Sequence, residues 1–152
     1  MDLSLLEKVA LFEGLNHAQL RKIAGTGTIQ RFAVGTFIFR EGDTGASMYV
    51  LMEGKVRISK NVPGIGEEAL AILEKGQYFG EMAVIEDNPR SADAIAHTSC
   101  ALWMIERDRM DQLLFTDKDM AYVLLWTFVR TLSGRLREAN DKIKAFFAMS
   151  KF

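Results

Sequence analysis

Residues 79–94 read FGEMAVIEDNPRSADA, and three of their residue types can do chemistry together: a glycine, a carboxylate beside it, and an arginine after a proline. A helix beginning near Gly80 would turn unpaired backbone N–H groups toward an anion. Arg90 adds a planar, permanently charged fork that matches phosphate oxygens. Glu81 can accept a hydrogen bond from a sugar hydroxyl. Taken singly, Arg90 could be a surface residue after the Pro89 turn, and Glu81 a carboxylate favoured at a helix N-terminus. In this order around one short loop, they read as a device for holding a phosphate and a ribose.

Such a loop needs a rigid frame. From Leu3 to Ala24 the apolar residues mix three- and four-residue steps, and Asn16 is placed to cap a helix carrying Leu20 and Ile23, so residues 1–24 form a helical lead-in. From Gly25 to Ile105 the pattern becomes brief β-branched and aromatic runs punctuated by glycine. These are Ile29–Phe32, Phe37–Arg40, Met48–Met52, Lys55–Lys60, Ala69–Leu73, Ala92–His97 and Ala101–Ile105, with a hairpin tip at Val62-Pro63-Gly64-Ile65-Gly66. Their spacing suits a small antiparallel barrel or sandwich over residues 25–105. Residues 106–152 return to helix, one around Arg107–Phe115 and a longer one from about Lys118. In the longer one Leu125, Val129, Leu132, Leu136, Ala139, Ile143 and Phe146 form a 4-3 seam interrupted by Gly134. That stripe either packs on the protein's own barrel or pairs with a second copy in a parallel dimer.

With 152 residues the chain suits one domain, and 19 basic against 20 acidic residues give no global field for nucleic acid or an anionic membrane. Any anion site must be local. The single Cys100 forms no internal disulfide and favours a reducing cytoplasm. The Met1-Asp2-Leu3-Ser4 start has no basic n-region, and the longest apolar run, Ala121–Val129, is far short of the ~20 residues of a membrane span. A metalloenzyme would need more than His17, His97 and Cys100 offer, so neither metal nor catalysis is expected.

The 79–94 segment resembles the phosphate-binding cassette of the cyclic nucleotide-binding domain family, of the catabolite activator and protein kinase A regulatory subunit type. That pattern runs F-G-E-[LM]-A-[LVI] and, after a few residues, P-R-x-A. Leu11-Phe12-Glu13-Gly14-Leu15, the stretch Gly42-Asp43 to Leu51, and Glu53-Gly54 are similar to other parts of the same family. The resemblance implies an α+β, mainly β fold: an eight-stranded antiparallel, jelly-roll-like β-roll with N-terminal helices and two C-terminal helices. It implies a cyclic nucleotide-binding site at Phe79, Gly80, Glu81, Met82, Ala83, Pro89, Arg90, Ser91 and Ala92. Arg90 would grip the exocyclic phosphate oxygens, Glu81 with the Gly80 backbone would hold the 2′-hydroxyl, Ser91 would finish the phosphate cradle or pair with a syn guanine, which leaves cGMP open, and the two alanines would keep the wall thin. On the long helix Asn140 is either a base-reading residue or a solvated position. Two positions depart from the family. Asp93 replaces a common Thr or Ser and is expected to face solvent; Ala46 replaces an acidic residue, leaving Arg90 without an orienting carboxylate unless Asp43 or Asp93 supplies one.

The expectation is a non-catalytic, cytoplasmic regulatory sensor that binds cAMP in preference to cGMP, forms a homodimer through its last helix and responds there. With Phe152 the last residue, no helix-turn-helix is expected, hence no direct DNA binding, and no membrane contact. A ligand-independent interaction domain, or the sensor half of a transcription factor, channel or kinase subunit, is the alternative. The downstream partner is not written in the sequence.

Overall fold

The run Met48–Met52 is apolar without alternation, as a strand covered on both faces must be. In the computed structural model, which describes residues 3–150, that strand lies inside. β3 (Ser47–Glu53) pairs antiparallel with β8 (Cys100–Glu106), which also pairs with β1 (Thr28–Phe32). β6 (Tyr78–Phe79) completes this sheet on the other side of β3. The second sheet is ordered β2 (Phe37–Phe39), β7 (Asp93–Ala96), β4 (Val56–Val62), β5 (Gly66–Leu73), again antiparallel.

Because side chains alternate along a strand, β3 and β8 divide the core. Tyr49, Leu51, Cys100 and Leu102 face the interior of the roll with Val56, Phe79, Ala94 and Ala96. Met48, Val50, Trp103 and Ile105 face the helices. There they meet Leu6, Leu11, Phe12 and Ile23 from the lead-in, which comprises α1 (Leu3–Glu7), a 3-10 turn (Ala10–Phe12) and α2 (His17–Ala24). Trp103 is fully buried, meets Phe12 edge-on and donates its indole N–H to the Ala24 carbonyl. Asn16 caps α2 as expected: its side chain accepts from Gln19 N at 2.8 Å, and Gln19 accepts from Asn16 N at 3.0 Å.

The expected strands all occur, with shifted ends: β5 starts at Gly66, and β7 starts at Asp93 with Ala92 outside it. β6 has no counterpart in the pattern reading, since two residues are too few to show a period. A short helix, α3 (Met82–Ile85), follows it. α4 (Arg107–Thr116) and α5 (Lys118–Ser150) close the chain.

α5 settles one alternative. Met120, Ala121, Leu124 and Phe128 are its buried face, whereas the 4-3 seam is exposed from Leu125 (50%) through Leu136 (63%) to Phe146 (68%). The seam does not pack on the protein's own barrel.

Candidate functional site

The site is built where β6 runs into α3. Gly80 has φ +75°, and a Cβ there would sit 2.9 Å from Arg90 Nη1 and 3.1 Å from the Ser47 carbonyl, so the turn requires glycine. It delivers Glu81 as the residue capping α3. Val84 N then donates to the Glu81 carbonyl at 3.1 Å, and Ala83 N to the Gly80 carbonyl at 3.2 Å.

Arg90 is 7% exposed. Its main chain is held by the 40–43 turn, N–H to the Asp43 carbonyl at 2.9 Å and C=O from Gly42 N at 2.8 Å. Nη2 donates to the Ser47 carbonyl at 2.6 Å and Nη1 to the Gly80 carbonyl at 3.1 Å, with the guanidinium 4.1 Å from the centre of the Phe39 ring. Nε is buried with no partner. Burial pulls the guanidinium below its ordinary value, while Tyr49, Asp43 and Glu81 act the other way; an arginine nonetheless stays charged.

Neither candidate carboxylate touches that guanidinium. Asp43 Oδ2 accepts from Arg40 N at 3.0 Å, and Asp93 Oδ1 accepts from Glu41 N at 2.7 Å. Asp93 therefore does not merely face solvent: it secures the turn that holds the Arg90 main chain. Two carbonyls and a ring stand where an acidic orienting side chain was expected. Gly45 makes room for this, since a Cβ there would run into the guanidinium.

Glu81 is 4% exposed and forms an ion pair with Arg135 of α5, fifty-four positions away. Arg135 also lies 5.7 Å from the Tyr78 ring, which meets Phe128 edge-on. A carboxylate has about four acceptor sites, so this ion pair leaves room for a hydroxyl.

These groups line a cavity of about 310 Å³. The cassette contributes Phe79, Gly80, Glu81, Met82, Ala83, Pro89, Arg90, Ser91 and Ala92, all nine residues expected from it, together with Asn88. Phe39, Ile58, Ala71 and Leu73 from β2, β4 and β5 form an apolar wall, and Arg135 enters from α5. Two cations and one carboxylate leave the lining with one positive charge. Asn140 does not line this cavity; it is exposed further along α5. Arg135 and the apolar wall were not found by sequence reasoning. Nothing in its type or spacing sets Arg135 apart from the other arginines of α5, and Ile58, Ala71 and Leu73 carry no signal beyond being strand residues.

A model of the "cyclic nucleotide-binding domain" matches residues 29–117, which include the cassette and all of the roll except the first residue of β1. The chain belongs to the cyclic nucleotide-binding domain family. As a family member it is similar to cGMP-dependent protein kinase 2 of Homo sapiens, 32% identical over 98% of this chain and 23% of the kinase. It is also similar to the catabolite activator protein of Thermus thermophilus, with a TM-score of 0.81 at 28% identity, covering 90% of this chain and 62% of that one. The regulatory domain of Toxoplasma gondii PKA, solved with cAMP, gives a TM-score of 0.73 at 29% identity, covering 90% of this chain and 48% of that one. The chain spans less than a quarter of the length of the cGMP-dependent kinases it matches first. The match to the family model ends before Arg135 and Asn140. Among the described residues, no cluster of three or more His, Cys, Asp or Glu could hold a metal ion, and no helix is long and apolar enough to cross a membrane.

Proposed function

We propose that this cavity binds a 3′,5′-cyclic purine nucleotide, cAMP in preference to cGMP, and that residues 1–152 act as one non-catalytic sensing domain whose C-terminal helices respond. The observation that carries the reading is the lining itself: one net positive charge from Arg90, Arg135 and Glu81, opposite walls of Ile58, Ala71 and Leu73. A cyclic phosphodiester brings one negative charge, a ribose hydroxyl and a flat base. Arg90 offers its guanidinium charge to the phosphate, the exposed Ser91 adds a hydroxyl beside it, and Glu81 accepts from the 2′-hydroxyl. Preference for adenine is supported by the apolar wall: adenine's 6-amino group and guanine's N1–H and 2-amino group all lack partners there, and guanine leaves the larger number of donors unpaired, at about 1–3 kcal/mol per unpaired group.

The response runs through α5. Arg135 holds the cassette carboxylate from that helix, so a ligand reaching Glu81 acts on the contact between them. Any shift requires that the ligand bind one arrangement better than the other. The exposed seam supports a homodimer through α5, in which Asn140 of one copy would approach the base held by the other. The reading also places the protein in the cytoplasm, without direct contact to DNA or membrane.

One observation favours a ligand-independent interaction domain: Arg90 and Glu81 already have partners within the chain. Calorimetric titration with cAMP, cGMP and AMP decides. Binding of cAMP tighter than cGMP, with AMP much weaker, is expected; no heat with either cyclic nucleotide would leave the interaction domain as the function.

A further inference from the structure

α3 is a single turn of helix, and its carbonyl end has no following helix to satisfy it. One side chain does so. Arg107, the first residue of α4, donates from Nε to the Ala83 carbonyl at 2.8 Å and from Nη2 to the Ala83 and Glu86 carbonyls at 2.5 and 2.7 Å. Nη1 lies 3.2 Å from Oδ1 of the exposed Asp87, and the Arg107 backbone N–H donates to the Ala46 carbonyl at 2.6 Å. The guanidinium thus reaches three successive parts of the cassette while its own main chain is fastened beside β3. Of these residues only Ala83 also lines the cavity formed around Glu81 and Arg90; Arg107, Glu86, Asp87 and Ala46 do not.

We infer that Arg107 is a positioning residue: it fixes α3, and with it Glu81 and the approach to Arg90, and it makes α3 and the start of α4 move as one piece. A charge-assisted fork onto carbonyl oxygens is stronger than neutral hydrogen bonds, and lysine cannot reproduce its geometry. α3 is then held at two ends by two different helices. Arg135 of α5 meets it inside the cavity, where a ligand competes for Glu81; Arg107 of α4 meets it outside, where no ligand reaches. Movement of the cassette is transmitted to α4 through the second contact whatever the state of the first.

The effect on nucleotide affinity rests on the proposed function, whereas the effect on α3 does not. The test uses the full chain with Arg107→Lys and Arg107→Met, and Arg109→Met as a control on the same helix. Amide exchange is followed first without nucleotide. Both Arg107 variants should exchange residues 82–86 about tenfold faster or more, with β3 and β8 at parental rates; the control should not differ. Calorimetry should then show cAMP affinity about tenfold weaker in both variants, with a smaller ratio of cAMP to 2′-deoxy-cAMP affinity. Parental exchange at 82–86 in Arg107→Met, or uniform acceleration throughout the roll, would overturn the inference, as would parental affinity in both variants. If the parental protein binds no cyclic nucleotide, the proposed function falls and the exchange result alone decides the role of Arg107.

Discussion

The cassette and the outer half of α5 handle their side chains in opposite ways. In the cassette, buried charged groups find partners in the same chain: Arg90 donates from both terminal nitrogens to carbonyls, Glu81 meets Arg135, and the end of α3 meets Arg107. In the outer half of α5, apolar groups are left in water: Leu136 is 63% exposed, Ile143 53%, Phe146 68% and Phe147 60%. Burying one such side chain fully is worth about 1.5–3 kcal/mol. The cassette is complete within one chain, whereas the α5 surface gains stability only from a second surface. The contrast teaches that buried polar groups specify geometry and exposed apolar ones specify a need.

The strongest way to break the self-contained cassette is Arg90→Ala. It removes the proposed phosphate partner and takes one donor from each of the Gly80 and Ser47 carbonyls, so cAMP binding should weaken by about 2–5 kcal/mol and the melting temperature should fall as well. Arg90→Lys should restore little. Near-parental affinity by calorimetry in either variant removes Arg90 from the site.

Leu132→Glu with Leu136→Glu tests the other half of the comparison. Charge placed in an apolar seam should yield monomers by light scattering, and affinity should fall with the dimer if Asn140 reaches the partner's ligand. A double variant that stays dimeric places the interface elsewhere. A monomer of unchanged affinity leaves Asn140 without a role.

Glu81→Gln should cost cAMP about 1–3 kcal/mol and 2′-deoxy-cAMP much less, since that ligand already lacks the hydroxyl. Equal losses would show that Glu81 serves only Arg135. Gly45→Ala should have the smallest effect, on the order of 1–3 kcal/mol or less after relaxation. The added methyl presses on the Arg90 guanidinium, and weaker cAMP binding with the other strands undisturbed is the expected result. Unchanged affinity and melting temperature would mean that Arg90 is free to move, and that the cassette is looser than the comparison holds.

Local chemistry made much of this legible in the sequence. Gly80, Glu81 and Arg90 stand within one short stretch, Asn16 and Gln19 cap α2 across three residues, and glycine-punctuated runs mark seven of the eight strands. Each of these signals joins neighbours in the chain, where spacing alone sets geometry. The tertiary structure decided the rest. β6 exists because Tyr78 and Phe79 find Val50 and Tyr49 of β3 as partners, and its two residues carry no period of their own. Which stripe of α5 is buried was decided by the core that Met120, Leu124 and Phe128 reach, since apolar spacing records that a face can be covered but not by what. Arg135 meets Glu81 across fifty-four positions and Arg107 meets Ala83 across twenty-four, and an arginine's type says nothing of which distant acceptor the fold will bring to it. The replacement of an orienting carboxylate by the carbonyls of Ser47 and Gly80 was invisible for the same reason: every residue has a carbonyl, and only the folded chain selects the ones that point at Arg90.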